Sequence, residues 1–187
     1  MKAIIFDCFG VLVTSSYEPF KQKHFGDDEV KRDRFHEIED RSSRGEISLE
    51  DASSQFALLA GLSYEQAVDE LHNNPRNITL LNYIATELKD YKIGFLSNVA
   101  DDRLDELFTK KQQALFDDIV LSYDVNMAKP DPRIFALAAD RLGVTVDECV
   151  FVDDNYYYCQ GAEKVGMKVI QYENFPSLKR SLDQILA

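Results

Sequence analysis

The stretch MKAIIFDCFGVL, residues 1–12, decides how the rest of the chain is read. An apolar run from Ala3 to Phe6 ends in one carboxylate, Asp7, and Gly10 follows three positions later. A run this short and this continuously apolar predicts a strand buried on both faces. A lone carboxylate at the end of such a strand is costly unless something pairs with it. That cost points to a nucleophile or a metal ligand.

Moving outward, similar apolar runs recur at Lys92–Leu96, Ile119–Leu121, Cys149–Val152 and Lys168–Ile170, and the first strand extends over Lys2–Phe6. Amphipathic stretches separate the later ones. Leu80, Leu81, Ile84 and Leu88 share one face of a helix over Asn77–Leu88, and Asp131-Pro132 opens another helix that Gly143 ends. Strands alternating with helices predict a parallel α/β sheet. Residues from about Thr14 to Asn77 break the alternation. They carry no convincing strand, and they contain two N-terminal capping patterns, Ser48–Asp51 in a looser acidic form and Ser63–Gln66 in the standard one. This predicts a small helical insert lying over the sheet.

The chain has 187 residues, 45% of them apolar, which suits one packed domain with a small insert. No segment approaches the roughly 20 apolar residues of a membrane span. The N-terminus enters a strand directly, with no cationic leader, so a cytoplasmic protein is expected. Three cysteines, Cys8, Cys149 and Cys159, lack metal-site spacing and are read as reduced thiols, with Cys8 a small buried filler. With 21 basic against 33 acidic residues the net charge is −12, which argues against nucleic-acid and anionic-membrane partners. The same field repels a free phosphate ester unless a local cation receives it.

The polar residues that interrupt the strand pattern fall at strand ends: Asp7 after the first, Ser97-Asn98 after the second, Asp153-Asp154 after the fourth. Lys129 lies in the loop after the third, ahead of Pro130-Asp131-Pro132. Ligands of open α/β sheets bind outside the carboxyl ends of the strands, so these groups are expected in one crevice. Asp7, Asp153 and Asp154 together call for a cation, and hard oxygen ligands suit Mg²⁺ shared with a substrate phosphate. Lys129 supplies a point charge for that phosphate and Ser97 a hydroxyl donor.

The sequences IIFDCFGVL, FLSN, KPDP and VFVDDN occur here in the order and context of the haloacid dehalogenase-like (HAD) hydrolase superfamily, which the chain resembles over essentially its whole length. RGEIS in the insert and the GA…GM run after Asp154 resemble its helical-capped phosphatase branch. The resemblance implies an α/β, Rossmann-like three-layer sandwich with a parallel sheet. It puts the core at residues 1–13 and 78–187, and a small α-helical cap, inserted after the first strand, at 14–77. It implies a Mg²⁺-dependent phosphatase of a small phosphorylated metabolite. In that scheme Asp7 is the nucleophile that becomes an aspartyl-phosphate, and Ser97 with the Asn98 backbone binds phosphate. Lys129 neutralises nucleophile and phosphate. Asp7, the Phe9 backbone carbonyl and Asp154 hold the metal, with Asp153 as acidic neighbour.

Two positions depart from the common pattern of the family. Phe9 stands where an aspartate usually protonates the leaving group and then activates water, help worth about 10²–10⁴-fold. Tyr158 stands where many relatives carry a further acid, which bears on the orientation of the metal. Phe9 also resembles a second branch, the metal-independent 2-haloacid dehalogenases, which lack the Asp153-Asp154 pair. A third reading is a low-turnover phosphate-binding regulatory module. His24, His36 and His72 share no metal-ligand spacing and are expected at or near the surface. Tyr156, Tyr157 and Tyr158 are read either as lining the crevice or as covering a helix start. Arg34, Arg41 and Arg44 are read as solvated helix faces, one of them within reach of a substrate anion. Oligomeric state is not legible in the sequence.

Overall fold

The computed structural model describes residues 1–187. Its strands are β1 Ala3–Phe6, β2 Lys92–Ser97, β3 Asp118–Leu121, β4 Cys149–Asp153 and β5 Lys168–Gln171. All four pairings are parallel, in the order β3-β2-β1-β4-β5. Side chains of β1 alternate between two core layers: Ile4 and Phe6 enter one, Ala3 and Ile5 the other. Val150 and Val152 of β4 join the first layer, Cys149 and Phe151 the second. Both faces are therefore covered, which is why the central strands read as unbroken apolar runs.

The helices in chain order are α1 Tyr17–Phe25, α2 Glu29–Ser43, α3 Leu49–Ala60, α4 Tyr64–Leu71 and α5 Ile78–Glu87, then the short α6 Leu104–Leu107, α7 Lys110–Gln113 and α8 Ser122–Val125. Three longer ones follow, α9 Pro132–Arg141, α10 Tyr156–Lys164 and α11 Phe175–Leu186. α5 and α11 pack on the face of Ile4 and Phe6, and α9 and α10 on the face of Ala3 and Ile5. Leu80, Leu81, Ile84 and Leu88 are all buried, as the spacing requires. α9 starts where the Asp131 carboxylate accepts from the Arg133 N–H, and Gly143 closes its far end at φ 72°. The short α6, α7 and α8 were not expected, because four residues are too few to show a helical period.

α1 to α4 fill the chain between β1 and α5 and build a core of their own from nine buried residues, with Phe35 and Phe56 stacked at 4.0 Å. The Ser63–Gln66 box is reciprocal. Ser48 receives the Asp51 N–H, but its second contact runs to the Asp51 carboxylate rather than closing the box. The two chain crossings that lead into and out of this layer lie side by side. Thr14 N–H donates to the Pro75 carbonyl and Asn77 N–H to that of Leu12, at 2.8 and 2.9 Å. Apart from these crossings, one hydrogen bond joins residues 15–74 to the rest: the Ser122 hydroxyl to the Ser43 carbonyl, 2.7 Å.

Gly161 shows how tightly α10 seats on the loop that carries Lys129. A Cβ there would lie 2.8 Å from Pro130 Cβ, 2.9 Å from the Pro130 carbonyl oxygen and 3.0 Å from Phe135. Alanine is the better helix former by about 1 kcal/mol, but overpacking of this kind costs about 1–3 kcal/mol. Gly161→Ala is therefore expected to lower stability in urea unfolding.

Candidate active site

The chain leaves β1 and returns to β4 on opposite sides of the point where strand order reverses, and the crevice opens at their carboxyl ends. Asp7 follows β1, and Asp153 is the last residue of β4. Between them stands the Lys129 ammonium, 2.6 Å from Asp7 Oδ1 and 2.6 Å from Asp153 Oδ2. All three are buried. The Asn98 side chain fixes the lysine's backbone on both sides: Nδ2 donates to the Lys129 carbonyl at 3.0 Å and Oδ1 accepts the Lys129 N–H at 2.8 Å. The ring of Phe151 lies 5.5 Å, and that of Tyr158 4.8 Å, from Nζ.

Asp153 is fully engaged, since its Oδ1 accepts the Asn155 N–H at 2.8 Å while Oδ2 faces Lys129. Asp7 is not: Lys129 holds Oδ1, and Oδ2 has no protein partner and lines the cavity. Ser97, at 1% exposure, has a hydroxyl with no hydrogen-bond partner, and the neighbouring Asn98 N–H is likewise unused. Asp154 opens to solvent at the mouth and presses on the β1 loop. Gly10 has φ 96°, and a Cβ on it would lie 2.2 Å from Asp154 Oδ2. Only glycine fits there, which explains the spacing from Asp7 to Gly10. The Phe9 carbonyl accepts no backbone hydrogen bond.

Carboxylate oxygens of Asp7, Asp153 and Asp154 lie within 4.8 Å of one another. Three carboxylates against one ammonium leave two excess negative charges. Burial, opposed by Lys129 and reinforced by Asp153, pushes Asp7 up to about 8. Burial and then the charge of Asp153 push Asp154 up to about 6. Burial works against the Lys129 charge, but Asp153 and Asp7 outweigh it and hold the ammonium above its ordinary pKa. The donor set is all oxygen, its excess charge is that of one divalent cation, and the Phe9 carbonyl is free beside it. These residues fit Mg²⁺.

The crevice continues as a cavity of about 630 Å³ under the helical insert. Tyr17, Lys21 and His36 line it from the insert, and Arg103 from the loop after β2. Arg34, Arg41 and Arg44 do not; they pair with Glu37, Glu46 and, for Arg44, also Asp40. The arginine that lines the cavity is Arg103, paired with Glu106 at 2.9 Å, and no motif marks it in the sequence. Lys21 is 5% exposed, paired with Glu18 at 2.9 Å. Tyr157 and Tyr158 line the cavity, and Tyr156 is exposed outside it. Cys8, Cys149 and Cys159 are free and buried.

A family model for haloacid dehalogenase-like hydrolases matches residues 1–166. (S)-2-haloacid dehalogenase 4A of Burkholderia cepacia is 37% identical over 82 residues, which are 43% of this chain and 36% of that one, so the match spans about a third of this relative. D-ribitol-5-phosphate phosphatase of Bacteroides thetaiotaomicron is 26% identical across all of this chain and 98% of its own length. A solved structure of a HAD family enzyme from the same organism, in complex with magnesium and inorganic phosphate, superposes with a TM-score of 0.72. It is 23% identical over 95% of this chain and 98% of that one, and at that identity the likeness speaks for the fold alone. No helix of the chain is long and apolar enough to cross a membrane. The parallel sheet, the strand-end acids and the long family match lead to one assignment: the chain belongs to the haloacid dehalogenase-like hydrolase family.

Proposed function

We propose that this hydrolase cleaves phosphate monoesters of small metabolites through an aspartyl-phosphate at Asp7, with Mg²⁺ as cofactor and residues 14–77 acting as a cap over the site. The observation that carries the reading is the state of Asp7: one oxygen fixed by Lys129, the other free and facing a cavity beside an unpartnered Ser97 hydroxyl. The full-length likeness to a sugar-alcohol phosphate phosphatase supports it.

Ser97 Oγ and the Asn98 N–H bind the phosphate oxygens, and Lys129 balances their charge. Asp7 Oδ2 attacks phosphorus, and the bond to the ester oxygen breaks. Because Phe9 has no proton to give, the leaving alkoxide takes its proton from water. Water then attacks the phosphorus of the aspartyl-phosphate, releasing inorganic phosphate and restoring the carboxylate. Asp7, Asp154 and the Phe9 carbonyl, with Asp153 adjacent, would hold Mg²⁺, which when bound would supply charge neutralisation for the transferring group. Asp153 has its oxygens committed to Lys129 and Asn155, so its main work is to anchor the lysine.

A second reading is a metal-independent 2-haloacid dehalogenase, favoured by Phe9 and by the partial match to the Burkholderia cepacia enzyme. The three clustered carboxylates weigh against it. Halide release from a 2-haloacid that persists in EDTA, without ester hydrolysis, would replace the phosphatase reading.

Asp7→Asn is expected to abolish Mg²⁺-dependent hydrolysis of a panel of metabolite phosphates, with thermal melting confirming a folded variant. Activity surviving in that variant would show that Asp7 is not the nucleophile. Phe9→Asp is expected to raise kcat by roughly tenfold or more, since it restores the missing acid.

The metal site has its own signature in stability. The folded-state pKa of Asp154 is raised to about 6, so its contribution is complete below its ordinary value and is lost as pH rises through 6. In EDTA, Asp154→Asn is therefore expected to exceed the parent in stability at pH 8 by about 1 kcal/mol, discounted for solvent screening. The difference should vanish below pH 4 and reverse when Mg²⁺ is added.

A further inference from the structure

We propose that Tyr158 is a positioning residue for Lys129, its ring holding the ammonium against Asp7 and keeping water from it without adding a charge. The inference rests on the phosphatase reading for its kinetic consequence, but its structural claim stands apart. Lys129 Nζ has carboxylates on two sides, Asp7 and Asp153, and the Phe151 ring on a third. The Tyr158 ring, 4.8 Å from Nζ, covers a further side of the ammonium where both residues border the cavity. The lysine side chain is 1% exposed although the cavity begins beside it.

The choice of an uncharged ring has an electrostatic meaning. Asp7, Asp153 and Asp154 with Lys129 carry two excess negative charges, which one divalent cation cancels. A carboxylate at position 158 would return the loaded site to a net negative charge, in a protein whose total is already −12. An aromatic face attracts the ammonium through its quadrupole alone. It also lowers the local dielectric, so the Lys129 charge acts on the transferring group with less screening. Without the ring, water reaches Nζ, screens its charge and loosens its line toward Asp7, which the two ion pairs then hold alone.

The test compares Tyr158→Phe, which keeps the ring, with Tyr158→Leu, which removes it and leaves a smaller apolar side chain. On whichever ester the parent hydrolyses, Tyr158→Phe is expected to retain kcat within about threefold. Tyr158→Leu should lose about tenfold, the size a desolvated cation–ring contact supports, in kcat rather than KM, in protein that still melts well above the assay temperature. A readout independent of turnover is the Lys129 ammonium resonance in ¹⁵N-labelled protein. Its protons should be shifted upfield by the ring and slow to exchange in the parent and in Tyr158→Phe, with both properties lost in Tyr158→Leu. Equal loss in both variants would assign the role to the hydroxyl and overturn the proposal, as would an unaltered resonance in Tyr158→Leu. A parent inactive on every ester, with the resonance behaving as expected, would overturn the phosphatase reading and leave the placement of Tyr158 standing.

Discussion

A buried ammonium between two buried carboxylates organises this molecule. Lys129 meets Asp7 at the end of β1 and Asp153 at the end of β4, and neither acid has another cation within reach. Breaking one partner out of a buried ion pair costs about 3–5 kcal/mol in proteins, so the three positions are fixed together. Around them the chain has arranged neutral groups: the Asn98 amide on the lysine backbone and two aromatic rings on its charge. What remains unsatisfied all faces the cavity. The second oxygen of Asp7, the hydroxyl of Ser97 and the carboxylate of Asp154 form the part of the cluster left to a ligand.

The sheet makes this arrangement possible at little local cost. Parallel strands end side by side, so residues 146 positions apart in the chain, such as Asp7 and Asp153, become neighbours without any long loop to hold them. The interior strands are apolar on both faces, and polarity is confined to their last residues. Lys129 alone does not offset the net −12, because Asp7 and Asp153 already balance it; the excess negative charge of the cluster is what a divalent cation would cancel before an anion arrives.

Much of this was legible in the sequence because strand ends are punctuated. Asp7, Ser97 and Asp153 each interrupt an apolar run, and a buried run that stops at a polar residue announces its length and the place where a candidate site gathers. Lys129 was legible only through its context, Lys-Pro-Asp-Pro before a capped helix. The pairing of Lys129 with Asp153 was hidden, since spacing shows which residues meet but not which oxygen faces which partner. Arg103 and Lys21 were hidden for a different reason. They sit on loops or helix faces rich in ordinary surface charge, and nothing periodic separates a lysine buried by a neighbouring helix from one in water. The short α6 to α8 are set by turns and tertiary packing, which leave no repeat to read.

The attachment of the insert bears on how kinetic data on this protein are to be understood. Residues 15–74 have an independent core and, beyond the two adjacent crossings, a single hydrogen bond to the sheet side, from Ser122 to Ser43. One such bond contributes about 1 kcal/mol, and hinge motions of domains run on microsecond to millisecond scales. On the proposed mechanism, a site without a proton donor at Phe9 has slow chemistry by comparison. Where formation of the aspartyl-phosphate is the slow step, substrate enters and leaves many times for each turnover, and the Michaelis constant equals the dissociation constant. Differences in KM among esters would report the fit of each alcohol beneath the helices, cleanly separated from the reactivity of its phosphate.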